Sequence, residues 1–240
     1  MGVRFRQQAA RVFVAEMEEN GMSMGFYKFA YRVGFTPWEQ AAQQGPVAQQ
    51  VEAWFAREES GREPPYGKAL DLGCGTGRDS VELATRGWQV TGIDMIPKAI
   101  GAARARAKSA GMEVEFLEGD VTALRAAGVG TGFQLVLDGG TIHGFKDEQR
   151  QVAAGEVSAV AAPDATLLIF AFAPGRRGPT PRGMSRKDIE SAFSGWTVTD
   201  EESVDVSLPK FLKAPDPSWY RLRRQTEQTG MPEGSERPLG

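Results

Sequence analysis

From Lys68 to about residue 173 the sequence alternates short apolar runs with segments of helical periodicity, and no other feature constrains the fold as much. The apolar runs predict five strands, at residues 68–73, 89–94, 114–120, 133–140 and 165–173. Helical patterns follow the first, second and fourth runs, at residues 78–87, 96–111 and 147–162. Strands that alternate with helices form a parallel sheet with right-handed crossovers. The sequence therefore predicts an α/β, doubly wound fold whose ligands bind outside the carboxyl ends of the strands.

The flanking segments predict a cap, two closing strands and a tail. Residues 1–60 carry helical patterns around an aromatic stretch and are expected to form an N-terminal helical cap. A helical pattern at 186–195 precedes two closing strands, at 196–206 and 218–225. We therefore expect a cap at residues 1–60, a ligand-binding domain at 61–224 and a disordered polar tail at 225–240.

Composition narrows the classes of partner. The net charge of −3 provides no basic surface for following phosphates, so we expect no nucleic-acid partner. A single cysteine, Cys74, excludes an internal disulfide and suits the cytoplasm. No secretory signal core is apparent, and the longest apolar run, residues 166–173, is too short to cross a bilayer. We expect a soluble, cytoplasmic protein without a membrane partner.

A glycine-rich loop, DLGCGTG, follows the first predicted strand, with Gly73, Gly75 and Gly77 at alternate positions. A dinucleotide-binding G-x-G-x-x-G loop would place its third glycine where this chain has Arg78, and no P-loop Gly-Lys-Ser/Thr follows. Asp71 precedes the first glycine by two residues, where a carboxylate would repel a pyrophosphate and attract an ammonium or sulfonium. The loop therefore favours a cationic nucleoside over a dinucleotide.

The ends of the next two predicted strands suit an adenosine. Asp94 ends the second strand, where a carboxylate can accept both ribose hydroxyls. Asp120 ends the third strand and is placed to accept a hydrogen bond from an exocyclic amine, with the Val121 N–H available to a ring nitrogen. Met95 and Ile96 can pack on an adenine ring. The order of these residues predicts one adenosine site across neighbouring strands.

Residues 70–100 together with the EGDV stretch, residues 118–121, resemble the class I S-adenosylmethionine-dependent methyltransferases. The resemblance covers about residues 68–222 and implies a Rossmann-like methyltransferase fold. That fold is a mostly parallel seven-stranded sheet whose last strand is antiparallel. It implies S-adenosyl-L-methionine as the cofactor and S-adenosyl-L-homocysteine as the product, bound by residues 61–224. The expected cofactor-binding residues within that domain are Asp71, Gly73, Cys74, Gly75, Gly77, Asp94, Met95, Asp120, Val121 and Asp138.

Two further stretches, GFTPWEQ at residues 34–40 and DGGTIHGF at residues 138–145, are similar to a small-molecule branch of this family. The branch contains the thiopurine and tellurite-resistance-type methyltransferases. The similarity implies that the aromatic N-terminal segment folds over the cofactor. It also implies that Trp38 contacts the methionine end of the cofactor and that Phe35 lies beside it as a substrate contact. The alternative is a cap whose aromatic residues serve only as core.

His143, the single histidine, follows the fourth predicted strand near the expected position of the methyl group. With an ordinary pKa near 6.5 it can act as a general base towards a hydroxyl, thiol or ring nitrogen. It can equally pack on the cofactor or hydrogen-bond the backbone, and both interpretations stay open. Asp138 is the other candidate catalytic residue, expected to anchor the loop or to pair with His143.

An arginine-containing loop, residues 174–185, follows the fifth predicted strand. Its Arg176, Arg177 and Arg182 either hold an anionic group of the substrate or form a solvated lid. Arg182 is the candidate substrate contact because Pro181 and Gly183 flank it.

The residues together predict an enzyme that moves a methyl group by in-line displacement to an O, S or N atom of a small aromatic or heterocyclic molecule. The stretch at 138–145 lacks the Pro-Pro tetrapeptide of DNA amino-methylating enzymes, and no paired glutamates suit a guanidinium. Asp138 alone does not make a metal site, so we expect no metal. A non-catalytic S-adenosylmethionine-binding sensor or scaffold is the alternative, and we expect a monomer or homodimer with a small-molecule methyl acceptor as its partner.

Overall fold

The computed structural model describes residues 45–175, 182–204 and 217–225, which form one twisted sheet with helices packed on it. The strands are β1 (Gly67–Leu72), β2 (Trp88–Asp94), β3 (Glu115–Glu118), β4 (Phe133–Asp138), β5 (Ala161–Phe172), β6 (Trp196–Ser203) and β7 (Pro217–Arg224). The helices are α1 (Pro46–Glu59), α2 (Arg78–Arg86), α3 (Pro97–Ala110), α4 (Asp147–Val160) and α5 (Arg186–Ala192), with 3-10 turns at Val121–Ala123 and Ile142–Gly144.

The sheet has the strand order β3-β2-β1-β4-β5-β7-β6. Strands β1 to β5 pair in parallel, whereas β7 lies antiparallel between β5 and β6. The predicted doubly wound, mostly parallel, seven-stranded Rossmann-like fold is therefore confirmed, including its antiparallel last strand. The predicted cap segment before residue 45 and the tail after residue 225 lie outside the described residues.

The strand order reverses between β1 and β4, which lie side by side. A crossover helix leaves to one side of the sheet after β1 and to the other side after β4, and this opens a crevice at the carboxyl ends of the two strands. The glycine loop after β1 and the turn after β4 therefore border the same crevice.

Both faces of the sheet are covered, which is why the central strands carry buried apolar residues on both faces. In β1, Leu70 and Leu72 belong to one buried cluster, and Ala69 belongs to the cluster on the opposite face. Within residues 45–175, 182–204 and 217–225, no helix combines the length and apolar character needed to cross a membrane.

Helix α1 shares its core with the sheet. Trp54 is fully buried in the same apolar cluster as Leu168 of β5. At the end of the helix, Glu58 accepts hydrogen bonds from the hydroxyl of Thr166 at 2.7 Å and from Nε of Arg221 at 2.5 Å. The domain limit expected between residues 60 and 61 thus divides residues that pack together.

The boundary between α4 and β5 differs from the expectation. The helix was predicted to reach residue 162 and the strand to begin at 165, yet α4 ends at Val160 and β5 begins at Ala161. Pro163 explains the difference, because a proline cannot donate the hydrogen bond that would continue the helix. The pairing of β4 with β5 is irregular between Phe133 and Leu135, opposite this proline-containing start.

Candidate functional site

The loop between β1 and α2 contains three glycines with left-handed backbone, at φ 62° for Gly73, 53° for Gly75 and 75° for Gly77. A Cβ on Gly73 would lie 2.0 Å from Oγ1 of Thr141, and one on Gly77 would lie 2.8 Å from Cβ of Ala103. Residues with side chains rarely adopt this backbone conformation and could not fit these contacts. Glycine is therefore required at both positions by the packing of the protein itself, in addition to any approach of a ligand.

Asp71 lies below this loop near the end of β1 and is only 3% exposed. Its Oδ2 accepts a hydrogen bond from the Ser80 hydroxyl at 2.6 Å. Gly92 of β2 leaves room for that hydroxyl, since a Cβ there would lie 3.0 Å from it. Burial, together with the nearby carboxylate of Asp79, raises the pKa of Asp71 to about 7. A cation bound close to this carboxyl would favour its ionised form.

Asp94, at the end of β2, ties the glycine loop to the neighbouring strand. Its Oδ2 accepts a hydrogen bond from the Gly75 N–H at 3.0 Å, and its Oδ1 accepts one from the Ile96 N–H at 2.8 Å. Each carboxylate oxygen can accept more than one hydrogen bond. The side chain can therefore hold the loop and still accept from a hydroxyl of a ligand.

Asp120 follows β3 and caps the 3-10 turn at Val121–Ala123. Its Oδ1 accepts hydrogen bonds from the backbone N–H and the hydroxyl of Thr122, both at 2.8 Å. Its Oδ2 accepts none from the residues that the structure describes. Val121 and Ile96 are buried and Met95 is half-buried. One carboxylate oxygen thus remains for a donor such as an exocyclic amine.

Asp138 is fully buried at the end of β4 and holds the turn that follows. Its Oδ1 accepts hydrogen bonds from the N–H groups of Gly140 at 3.2 Å and Thr141 at 2.7 Å, and its Oδ2 accepts from Ile142 at 3.1 Å. Burial raises its pKa to about 6, and these N–H groups oppose the rise. Of the roles expected for Asp138, the geometry favours the loop anchor over pairing with His143 or contact with a ligand.

His143 lies on the 3-10 turn after β4 and is 3% exposed. Its Nδ1 accepts a hydrogen bond from the Phe172 N–H at 3.2 Å, so the neutral ring carries its proton on Nε2. Burial, and secondarily the guanidinium of Arg150, lower its pKa to about 3. A neutral imidazole that is already protonated at Nε2 is not arranged to accept a proton there, and this favours the hydrogen-bonding interpretation over the general base.

Arg150 of α4 is a buried residue beside His143, and sequence analysis did not identify it as a candidate. Its Nη2 donates hydrogen bonds to the carbonyl oxygens of His143 at 3.1 Å and Gly183 at 2.5 Å. Its Nη1 lies 3.1 Å from Oδ1 of the exposed Asp147. An arginine in an amphipathic helix pattern is normally assigned to the solvent side, so no sequence signal marks this one as buried.

The remaining predicted residues fall into two groups. Cys74 is buried beside Ile100 and Ala103, and burial raises the pKa of its thiol, which suits a packing role. Arg182 is exposed. Phe35, Trp38, Arg176 and Arg177 lie outside the described residues. Within the described ranges, no group of three or more histidine, cysteine, aspartate or glutamate side chains is arranged to hold a metal ion.

Comparison with known proteins finds methyltransferases that are similar to this part of the chain. Residues 69–164 match the model of a methyltransferase domain. A 2-heptyl-1-hydroxyquinolin-4(1H)-one methyltransferase of Mycobacteroides abscessus is 30% identical over 142 residues, covering 56% of this chain and 61% of that enzyme. A demethylmenaquinone methyltransferase of Thermus thermophilus is 34% identical over 113 residues, covering 46% of this chain and 50% of that enzyme. The chain thus spans between half and two thirds of the length of these curated relatives.

Among solved structures, the chain is similar to the 1,6-didemethyltoxoflavin-N1-methyltransferase of Burkholderia thailandensis. The TM-score is 0.63 at 20% sequence identity, covering 91% of this chain and 90% of that chain. This likeness concerns the fold. Residues 69–164 thus match a methyltransferase domain, and the described sheet has the strand order of a Rossmann-like methyltransferase fold.

Proposed function

We propose that this protein transfers a methyl group from S-adenosyl-L-methionine to an O, S or N atom of a small aromatic or heterocyclic molecule. The observation that carries the proposal is the buried carboxyl of Asp71 beneath a glycine turn at the carboxyl end of β1. This arrangement suits the cationic methionine end of the cofactor and disfavours a diphosphate. Asp94 and Asp120, at the ends of β2 and β3, extend the same edge in the order that the ribose and adenine require.

We assign each cofactor contact to residues at the carboxyl ends of β1, β2 and β3. Asp71 and the turn at Gly73, Gly75 and Gly77 hold the methionine moiety. Asp94 accepts from the ribose hydroxyls, and the free Oδ2 of Asp120 accepts from the adenine amine while the Val121 N–H donates to the ring. The bound group supplies a methyl made electrophilic by its sulfonium.

The acceptor lies on the side of His143 and β5, beyond the turn that Asp138 anchors. Alignment of a nucleophile with a methyl group in a dry pocket can supply on the order of 7–11 kcal/mol, whereas one acid–base group adds about two to four powers of ten. Because His143 is neutral with Nε2 protonated, we assign most of the acceleration to alignment. A hydroxyl or thiol nucleophile gives its proton to solvent before the pocket excludes water.

The cap residues complete the proposal. We place Trp38 against the methionine end of the cofactor and Phe35 and Arg182 against the acceptor, and we assign residues 1–44 to the segment that covers the site. Helix α1 stays with the sheet because the two share a core. The names of the 2-heptyl-1-hydroxyquinolin-4(1H)-one methyltransferase and of the 1,6-didemethyltoxoflavin-N1-methyltransferase both refer to nitrogen heterocycles, which supports this acceptor class.

A turnover screen tests the proposal. Purified protein with S-adenosylmethionine is incubated with aromatic thiols, phenols and N-hydroxy heterocycles, and S-adenosylhomocysteine is measured. We expect turnover with at least one class, loss of turnover in Asp94→Asn, and retention in Asp164→Asn, which alters an exposed carboxyl of β5. Tight cofactor binding without turnover of any class would favour the sensor or scaffold.

A further inference from the structure

A closed set of hydrogen bonds fixes the imidazole of His143. Nδ1 accepts from the Phe172 N–H at 3.2 Å, and the Phe172 carbonyl accepts from the Met184 N–H at 2.8 Å. Arg150 links the two ends of this set of hydrogen bonds, because its Nη2 donates to the carbonyl oxygens of both His143 and Gly183. The turn after β4, the end of β5 and the segment at Gly183–Met184 thus hold one another. A ring flip would break the bond to Phe172, so the identity of the outward nitrogen is determined.

That outward nitrogen is Nε2, and it carries the proton of the neutral ring. It makes no hydrogen bond with any residue that the structure describes. Gly140, at φ 121°, faces this edge of the ring, and a Cβ there would lie 3.5 Å from Cε1 and 3.7 Å from Nε2. Because residue 140 is a glycine, it places no side chain over the Cε1–Nε2 edge of His143.

A series of aromatic rings extends from His143 along the end of the sheet. The ring centroids lie 5.5 Å apart for His143 and Phe172, 5.6 Å apart for Phe172 and Phe170, and 5.3 Å apart for Phe170 and Trp219. Phe172 is half-buried, whereas Phe170 and Trp219 behind it are buried. Aromatic faces at these separations favour offset or edge-to-face contact with a further ring. A planar ligand can therefore pack on Phe172 beside the Nε2–H group.

We propose that His143 is a fixed hydrogen-bond donor to the methyl acceptor, which makes the enzyme select planar aromatic acceptors with a hydrogen-bond-accepting atom beside the methylated atom. A ring carbonyl oxygen or a ring nitrogen meets this requirement. The inference rests on the proposed function, because it concerns the acceptor side of the same site. It assigns to His143 a binding role through Nε2–H, and it assigns to Arg150 the role of positioning residue that keeps this nitrogen outward.

The first test uses the fact that the chain has one histidine. A full-length sample labelled with ¹⁵N-histidine gives a single pair of imidazole resonances, which report the tautomer directly. We expect an unprotonated Nδ1 and a protonated Nε2. We also expect no titration of the ring between about pH 5 and 8, because the charged group that faces it is the guanidinium of Arg150. Asp138 on the same turn is engaged by backbone N–H groups. An Nδ1–H tautomer, or titration in that range, would overturn the proposal.

The same sample tests ligand contact. With S-adenosylhomocysteine at saturation, 8-hydroxyquinoline, whose ring nitrogen lies beside its hydroxyl, is expected to shift the Nε2 resonance. The isosteric 1-naphthol, which lacks that nitrogen, is expected to leave it in place. An Nε2 resonance that 8-hydroxyquinoline at saturating concentration does not move would overturn the proposal.

Two variants separate the donor from the ring. His143→Gln keeps an N–H donor near the position of Nε2, whereas His143→Phe keeps an aromatic ring and removes the donor. We expect wild type to prefer 8-hydroxyquinoline over 1-naphthol in kcat/KM by about tenfold, which corresponds to about 1.4 kcal/mol. His143→Gln should keep part of this preference, and His143→Phe should lose it. Glu148→Gln on the exposed side of α4 is the matched control and should keep it.

The remaining outcomes are also decisive. Equal preference in wild type and His143→Phe would overturn the donor role, as would the absence of any preference in wild type. Arg150→Lys should lower the preference while Glu148→Gln does not. An unchanged preference in Arg150→Lys would show that Arg150 does not position His143. Failure of the chain to bind S-adenosylhomocysteine by calorimetry would overturn the proposed function instead, and the tautomer measurement does not depend on that result.

Discussion

The hydroxyl of Ser80 donates a hydrogen bond to Oδ2 of Asp71 across 2.6 Å and joins the first turn of α2 to the end of β1 beneath the glycine loop. Burial and Asp79 raise the pKa of this carboxyl to about 7, so it is partly protonated at neutral pH. An arriving cation would displace that proton. We therefore expect the binding of a cationic ligand at this site to release a proton.

Proton release should accompany the binding of S-adenosylmethionine. Because a bound cation lowers the pKa of Asp71 from about 7, affinity should rise with pH between about 5.5 and 7, by up to about tenfold per pH unit, and level off above. Calorimetry at pH 6.5 in two buffers of different ionisation enthalpy measures the released fraction. Asp71→Asn should abolish the release and weaken binding, and an equal release in wild type and variant would assign the proton to another group.

Gly73→Ala should destabilise the fold. The new Cβ would lie 2.0 Å from Oγ1 of Thr141, and overpacking typically costs about 1–3 kcal/mol in addition to the cost of a left-handed backbone. Urea denaturation measures the loss, and Thr141→Gly in the same chain should restore part of it. Gly101→Ala is the matched control, because nothing lies within 4 Å of that position in α3 and alanine favours a helix. A stable Gly73→Ala would show that the loop is not seated on this turn.

Trp54→Ala should cost about 3–5 kcal/mol in the unfolding free energy, because its fully buried side chain lies in the core that α1 shares with the sheet. Trp54→Phe should cost less, since the indole Nε1 has no hydrogen-bond partner to lose among the residues that the structure describes. Glu52→Ala on the exposed side of α1 serves as the control. If Trp54→Ala left the main unfolding transition unchanged, α1 would belong to a separately folding cap.

His143 should make the protein less stable in acid. Its pKa is lowered to about 3 in the folded state, so below its ordinary pKa of 6.5 the unfolded chain binds a proton that the folded chain does not. This cost is absent above about pH 6.5 and grows to about 1.4 kcal/mol at pH 5.5. Unfolding of wild type and His143→Gln should be compared at both pH values.

The comparison isolates the histidine because both proteins retain Asp71 and Asp138. Those two carboxyls have raised pKa values and act in the opposite direction, stabilising the fold as the pH falls from about 7. The difference in unfolding free energy between wild type and variant should therefore shift by about 1.4 kcal/mol between pH 7.5 and 5.5. A constant difference would mean that the ring takes up a proton in the folded protein as readily as in the unfolded chain.

The sheet could be predicted, and the carboxyl residues at its edge could be located, because both depend on local pattern. Apolar runs alternating with helical segments predict the parallel strands, and each of Asp71, Asp94 and Asp120 lies at or near the end of one run. The surroundings of His143 depend on contacts between distant residues. The protonation of His143 is set by the N–H of Phe172, 29 positions along the chain, and by the buried Arg150 on α4. No local pattern carries this information, and the sequence alone left the base and the hydrogen-bonding roles of His143 open.

Calorimetry of the full-length protein against S-adenosylmethionine and NAD tests the central claim most directly, since the two ligands share an adenosine and differ in the charge placed over the glycine turn. We predict binding of S-adenosylmethionine with proton release, at least about tenfold weaker binding in Asp71→Asn, and no binding of NAD. Tight binding of NAD together with no binding of S-adenosylmethionine would contradict the account.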